Sequence, residues 1–289
     1  MNKFYYNIAT LTMCVEGEST ALLGDRLLGM QPFKVEATDE VDILVCTDCA
    51  VETMPNPNSD QIIYNLILDE VQYIFSVVGR DFVFEMNTKD RGDYKLTYER
   101  GSKKVRLSPC NDLFSMKFML WKAYALVAIN KGVVPIHASA VIKQDSVVLC
   151  LGESGTGKST HTRMWMKNIS ETRMLNDDSP ILKMDGGKLR VYGSPWSGKM
   201  DFYLNEDYEV KGLIRIKRAL QNSIERLDTM KSLVSVYPSL PPMFANDPNL
   251  ADMMLDLVSD IIESTPIYTL ACLPNGDAAR VAYEELYGA

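Results

Sequence analysis

The sequence predicts an α/β protein with a β-rich N-terminal region. Three observations carry that reading. Short segments of alternating apolar and polar residues, rich in β-branched and aromatic side chains, fill residues 1–110. From residue 111 onward apolar strands alternate with helical stretches, the pattern of an α/β layer. Within that second part an apolar strand at 147–151 runs through a glycine-rich loop straight into a helical segment. The expected division is residues 1–110 and residues 111–289, and 289 residues suffice for two such parts.

Taken in order, residues 4–15, 33–35, 42–46, 61–68, 72–78, 82–86, 94–98 and 104–107 read as short strands. Turn formers such as Pro55-Asn56-Pro57-Asn58 and Asp90-Arg91-Gly92 separate them, and the pairing of short strands implies hairpins rather than helical crossovers. This region has no catalytic motif, so packing or substrate recognition is its expected work. Asn111 is a candidate cap for a helix reaching about Lys131, where Gly132 is a natural stop. Residues 134–142 and 147–151 follow as strands, joined by a tight turn at Lys143-Gln144-Asp145. A helix spans about 158–168, a strand occupies 173–175, and a hairpin turns at Asp185-Gly186-Gly187. A loop at 193–199, a strand near 213–216, a helix near 250–263, a strand near 266–272 and a helix from about Asp277 complete the chain.

A composition of 46 % hydrophobic and 24 % charged residues is that of a folded globular protein. The net charge of -8 argues against a nucleic-acid binder, yet leaves room for a small anion held by a local positive field. No segment reads as a signal peptide or membrane span. The longest apolar stretch, 116–129, is interrupted by Lys117 and Lys122 and falls short of the roughly 18–20 residues a span requires. Cys46 and Cys49 form a single CxxC with no second pair to complete a zinc site. They read as two reduced thiols at a strand end, and a reducing cytoplasm is the expected location.

The segment Gly152-Glu153-Ser154-Gly155-Thr156-Gly157-Lys158-Ser159, continued by Thr160, matches the phosphate-loop pattern G-x-x-x-x-G-K-[ST]. Its glycines let successive N–H groups point into one concavity, and the following helix offers its free N–H groups and positive dipole end. Lys158 is placed to bridge the outer phosphates and Ser159 to ligate magnesium. Asp177 and Asp178 follow the strand at 173–175, where acidic residues at a carboxyl end face the ligand crevice of an open α/β sheet. Two adjacent acids near one metal suggest a metal ligand plus a general base, while Asp-Asp-Ser-Pro is also good turn chemistry. Of the two histidines, His137 lies on the strand before the phosphate-loop strand, where a lone histidine reads as a satisfied core residue, and His161 sits just past the loop as a solvent-facing or packing residue.

With these residues together, the stretch from His137 to Asp178 resembles the catalytic core shared by phosphoenolpyruvate carboxykinase and HPr kinase/phosphorylase. The resemblance rests on His137-Ala138-Ser139-Ala140, on the phosphate loop, and on Asp177-Asp178. It implies a phosphoenolpyruvate carboxykinase/HPr-kinase-like P-loop catalytic domain, with ATP and magnesium, or manganese in its place. It further implies that His137 and Asp178 help hold the metal, that Asp177 is the base toward an acceptor hydroxyl, and that the chain forms a homo-oligomer. The carboxykinases are much longer, and the HPr kinases carry a Glu-x-Arg-Gly-Leu-Gly stretch where this chain has Tyr192-Gly193-Ser194-Pro195-Trp196-Ser197-Gly198-Lys199. The chain is thus most similar to small HPr-kinase-like proteins, some of which phosphorylate hydroxyls on peptides or small molecules.

The loop at 193–199 reads either as a flap, with Trp196 and Lys199 closing over substrate, or as a turn whose tryptophan packs inward. Arg215 and Lys217 alternate onto one face of their strand as a phosphate clamp, which strand periodicity denies to Arg218; a solvated strand edge is the plain alternative. The expected activity is an ATP- and magnesium-dependent kinase acting on a hydroxyl of a peptide, protein or small molecule. A carboxykinase-like reaction on a small carboxylic acid and a non-catalytic nucleotide-binding regulator are the alternatives. Arginines facing the metal would mark the former, and ATP binding without turnover the latter.

Overall fold

Ala9 and Thr10 both take left-handed backbone conformations, φ 47° and 72°, so the expected strand at 4–15 folds back on itself as a hairpin. The computed structural model describes residues 2–24, 26–198 and 202–288. Its chain forms two compact units, Met1–Lys131 with Met243–Ala251, and Gly132–Pro242 with Asp252–Ala289. The first unit therefore runs past residue 110 and also takes in a short segment from far downstream.

In the first unit a nine-stranded sheet is built from β1 (Asn2–Ile8), β2 (Leu11–Gly17), β3 (Lys34–Val35), β4 (Ile43–Cys46), β5 (Ile62–Leu68), β6 (Val71–Val78), β7 (Asp81–Thr88), β8 (Gly92–Glu99) and β9 (Lys104–Leu107). The order is β3-β1-β2-β4-β9-β8-β7-β6-β5. From β5 to β9 each strand pairs antiparallel with the next, as expected of hairpins. β4 departs from that expectation and pairs parallel with both β2 and β9. Helix α1 (Leu113–Ala128) is capped by Asp112, not Asn111: the Asp112 carboxylate accepts from the Ser115 N–H at 2.8 Å. Beyond α1, Gly132 ends the run at φ 67°.

α1 is apolar on nearly all sides, which suits a buried helix. The Tyr124 hydroxyl donates to the Ile8 carbonyl at 3.0 Å, and Phe75, Phe82 and Tyr98 stack across neighbouring strands. The downstream segment is fastened by Arg100, whose guanidinium forks onto the buried Asp247 carboxylate, while Asp247 also accepts from Leu250 N. At the end of β4 the Cys46 thiol donates to the Glu16 carboxylate at 3.2 Å. Burial and that carboxylate push Cys46 up to about 12, so it stays a thiol.

The second unit holds β10 (Val133–Pro135), β11 (Ala138–Lys143), β12 (Ser146–Leu151), α2 (Lys158–Asn168), β13 (Thr172–Asp178), β14 (Ile181–Asp185), β15 (Lys188–Tyr192), β16 (Asp207–Arg218), β17 (Ser223–Arg226), α3 (Thr229–Val236), β18 (Ile267–Cys272) and α5 (Gly276–Tyr287). Helix α4 (Pro248–Ser264) starts in the segment assigned to the first unit and continues into the second. The nine-stranded sheet runs β10-β14-β15-β16-β12-β11-β13, with β18 between β16 and β17. Trp165 of α2 and Ala279 and Ala282 of α5 bury against Val148, Ile214 and Leu270 of the sheet. Burying each of Val148, Ile214 and Leu270 contributes roughly 1.5–3 kcal/mol. No helix among the described residues is long and apolar enough to cross a membrane.

Candidate active site

β12 lies between β11, antiparallel, and β16, parallel, so the loop leaving its carboxyl end starts beside the carboxyl end of β16. The loop then enters α2 through Gly157, whose φ of 117° is open to glycine and costly for other residues. Lys158 folds back over the loop: Nζ donates to the Gly152 carbonyl at 2.8 Å and the Glu153 carbonyl at 3.2 Å. Burial pulls its pKa below the usual lysine range, while the Asp178 and Asp177 carboxylates push it back up and Arg215 pulls it down. Those four side chains therefore share one electrostatic neighbourhood. Ser159 and Thr160, on the first turn of α2, are half-buried. His161 is the packing residue: its Nε2 accepts from Trp165 Nε1 at 3.0 Å, and burial drops it to about 4, so it is neutral.

The acids reach this place because β13 does not stop at Leu175. It continues through Asp178 by pairing with β11, with Ser139 opposite Asp177 and Ala138 opposite Asp178. Ser139 Oγ donates to Asp177 Oδ1 at 2.5 Å in a buried setting. His137 is not within a strand, as the expected continuous 134–142 strand required. Ile136 and His137 interrupt it, donating their N–H groups to Pro180 O at 2.9 Å and Ser239 O at 2.7 Å. The break turns His137 toward the acids, with Nε2 3.6 Å from Asp178 Oδ1. Burial and the Lys158 charge lower the His137 pKa, and Asp178 raises it. A lowered pKa favours the neutral imidazole a metal requires.

Among the described residues no group of three or more His, Cys, Asp or Glu side chains gathers as a metal cage. An imidazole and a carboxylate side by side, with a serine hydroxyl at the helix start, is a sparser donor set. It suits a cation that keeps several waters, and magnesium and manganese both accept such ligands. Adjacent ligands on a small divalent ion stand roughly 3 Å apart, so a spacing of 3.6 Å fits with little movement.

Residues 194–198, after β15, are pinned, and Asn176 pins them. Wholly buried on β13, its amide donates to Ser194 O, Ser194 Oγ and Trp196 O at 3.2–3.3 Å, and its oxygen accepts from Ser179 N at 2.9 Å. Trp196 is buried, so of the two readings of this loop the inward-packed tryptophan describes the structure; Lys199 lies outside the described residues. Ser197 bridges Asp178, and Gly198 N donates to Asp177 O at 2.8 Å. A Cβ on Gly198 would stand 2.8 Å from that same carbonyl, so the close approach needs glycine. Asn176→Ala strips four groups of the partner Asn176 gives them and is expected to cost about 2–4 kcal/mol, measured by urea unfolding. Sequence reasoning passed over Asn176 and its Ser194 and Ser179 partners, although an asparagine closing an apolar strand before two acids was the available signal.

Arg215 donates to Ser235 O at 2.8 Å, and Arg218 donates to Gly155 O. With Lys217 and the loop they line a depression of about 470 Å³, so Arg218 joins the group from which alternation had excluded it. It does so from the last residue of β16, where the loop tip bends over the strand end.

No protein-family model and no curated protein matches the sequence. The structure of the HPr(Ser) kinase/phosphatase from Coxiella burnetii is similar over 51 % of this chain and 90 % of that one, with 14 % identity and a TM-score of 0.29. A likeness of that degree carries no inference about this chain's fold or activity.

Proposed function

We propose that this protein is an ATP- and magnesium-dependent kinase of the HPr-kinase-like kind, transferring the γ-phosphoryl group to a hydroxyl of a peptide, protein or small molecule. The observation that carries the reading is the meeting of Lys158 with Asp177, Asp178 and His137 at one end of the sheet. A structural loop gives no reason for a lysine to be buried beside two carboxylates, and phosphoryl transfer does. In this reading the backbone N–H groups from Gly152 to Ser159 cradle the phosphates, with Thr160 beside them, and Lys158 leaves the loop carbonyls for the outer phosphates. Ser159, Asp178 and His137 hold magnesium, which supplies charge neutralisation on the transferred group.

Asp177 is the base. Its Oδ1 is occupied by the Ser139 hydroxyl, which orients the carboxylate and leaves Oδ2 for the acceptor. The acceptor oxygen attacks the γ-phosphorus, the bond to the β-phosphate oxygen breaks, ADP departs, and the acceptor proton passes to Asp177. A carboxykinase-like reaction would call for arginines facing the metal. Arg215 and Arg218 are both engaged by backbone carbonyls, Ser235 O and Gly155 O, so neither is free to clamp a carboxylic acid without first breaking that bond.

The test follows ADP release from wild type and Asp177→Asn against a panel of hydroxyl-bearing metabolites and peptides. Acceptor-dependent release that falls about 10²–10⁴-fold in the variant, with MgATP affinity retained, supports the kinase. ATP binding with no acceptor-dependent release from any member of the panel would favour a nucleotide-binding regulator.

A further inference from the structure

The two edges of the first unit's sheet are unlike. At one end β3 (Lys34–Val35) is two residues long and carries Lys34, the kind of short, charged edge that resists further pairing. At the other end β5 reads Ile62-Ile63-Tyr64-Asn65-Leu66-Ile67-Leu68, with no charge, proline or glycine. Among the described residues no strand pairs with its outer side, so the backbone N–H and C=O groups there have no ladder to join.

The side chains of β5 reinforce this. Its ladder to β6 runs regularly from Tyr64, opposite Phe75, to Leu68, opposite Val71, after an irregularity between Ile62 and Tyr64. Within that regular stretch Leu66 is 40 % exposed, Ile67 70 % and Leu68 55 %. Leu66 stands opposite Tyr73, whose ring centre lies 5.1 Å from that of Phe118 on α1. Tyr64, Leu66 and Leu68 therefore share the face that α1 covers, and Ile67 lies on the other. An antiparallel strand with one wet face alternates apolar and polar residues, whereas this edge is apolar on both.

Such an edge invites another strand, and a second copy of this chain fits it. A two-fold axis across an antiparallel pair sets each residue against one from the same strand, so any charge in the run would meet a like run; β5 has none. A one-residue slip would put unlike faces together, so the axis passes through a residue. Centred on Leu66, the pairing spans the regular, exposed stretch: Leu66 meets the partner's Leu66, Tyr64 the partner's Leu68, and Asn65 the partner's Ile67. Centred on Asn65, it would instead bring Asp60 opposite the partner's Glu70, two like charges. Pairing through β5 also closes at two copies, because the far edge of each sheet is the short β3.

We propose that β5 is a dimer interface, two copies of this chain joining antiparallel about a two-fold axis at Leu66 to make one continuous sheet. Sedimentation equilibrium on the full chain from about 1 to 100 µM reads it, with a dimer expected at the top of that range that dissociates on dilution. Leu66→Lys sets two ammonium groups against each other at the axis and should weaken association at least about hundredfold. Leu66→Glu should do the same, and an equimolar mixture of the two variants should restore the dimer, because opposite charges then meet. Ile67→Lys, at a more exposed position, should weaken association at least about tenfold and covers the case in which the first two variants fold poorly. A wild type monomeric throughout the range would leave the edge to a strand of another protein and overturn the proposal. Wild-type association in the variants, or a mixture of the two Leu66 variants that stays monomeric, would overturn it as well.

Discussion

Lys158→Met is expected to lower acceptor-dependent ADP release roughly 10²–10³-fold, the usual cost of removing one preorganised charge from the transition state. Steady-state assays across ATP concentrations check it, and the loss should fall on kcat/KM. The variant should fold at least as well as the wild type, because Lys158 is 7 % exposed and burial of its charge is already costly. A melting temperature unchanged or raised, alongside collapsed activity, separates a functional lysine from a structural one. Because burial lowers its pKa, Lys158 loses its proton earlier on the alkaline side than a free lysine. Nucleotide affinity should therefore decline at a pH below 10.5.

Lys122→Met is expected to stabilise the protein at neutral pH. Lys122 stands on α1 with Nζ 4.5–5.1 Å from the ring centres of Phe84, Phe118 and Trp121, and 3.5 Å from Met243 Sδ. Burial alone drops its pKa from 10.5 to about 7. Between those values the unfolded chain binds a proton that the folded chain does not, so stability rises with pH from about 7 to 10.5. Below about 7 the folded state carries the full penalty, on the order of 4–5 kcal/mol for a depression of this size. A gain on the order of 4 kcal/mol at pH 7 is therefore expected for the methionine variant, with the alkaline rise flattened. Urea unfolding at pH 6, 8 and 10 reads both; an equally steep rise in the variant would remove Lys122 as its source.

How much of this was legible beforehand depended on whether the cause lies in nearby residues. The hairpin from β5 to β6 follows from two short apolar runs set side by side, and the chain turns between them at Asp69 and Glu70, φ 49° and 63°. The strand, loop and helix from Ser146 to Asn168 follow from local chemistry in the same way. The parallel seating of β4 between β2 and β9 has no local signature, because the partners are chosen by packing across a long stretch of chain. Lys158, Asp177 and Asp178, which the fold brings close together, were picked out from motif and position. The interruption at Ile136 and His137 was not, because Pro180 O and Ser239 O, which hold it, lie 44 and 102 residues downstream by numbering. Asn176 was missed because its importance lies in the loop it holds.

The fork between Arg100 and Asp247 joins residues 147 apart in sequence. On the ribosome the N-terminal unit is thus made early and finished late. Its sheet strands emerge first, yet Arg100 has no counter-charge until the segment Met243–Ala251 clears the exit tunnel. During that interval most of the second unit is already outside and free to fold. A stop anywhere between residues 131 and 243 would release a product whose first unit lacks its last piece, a natural target for quality control.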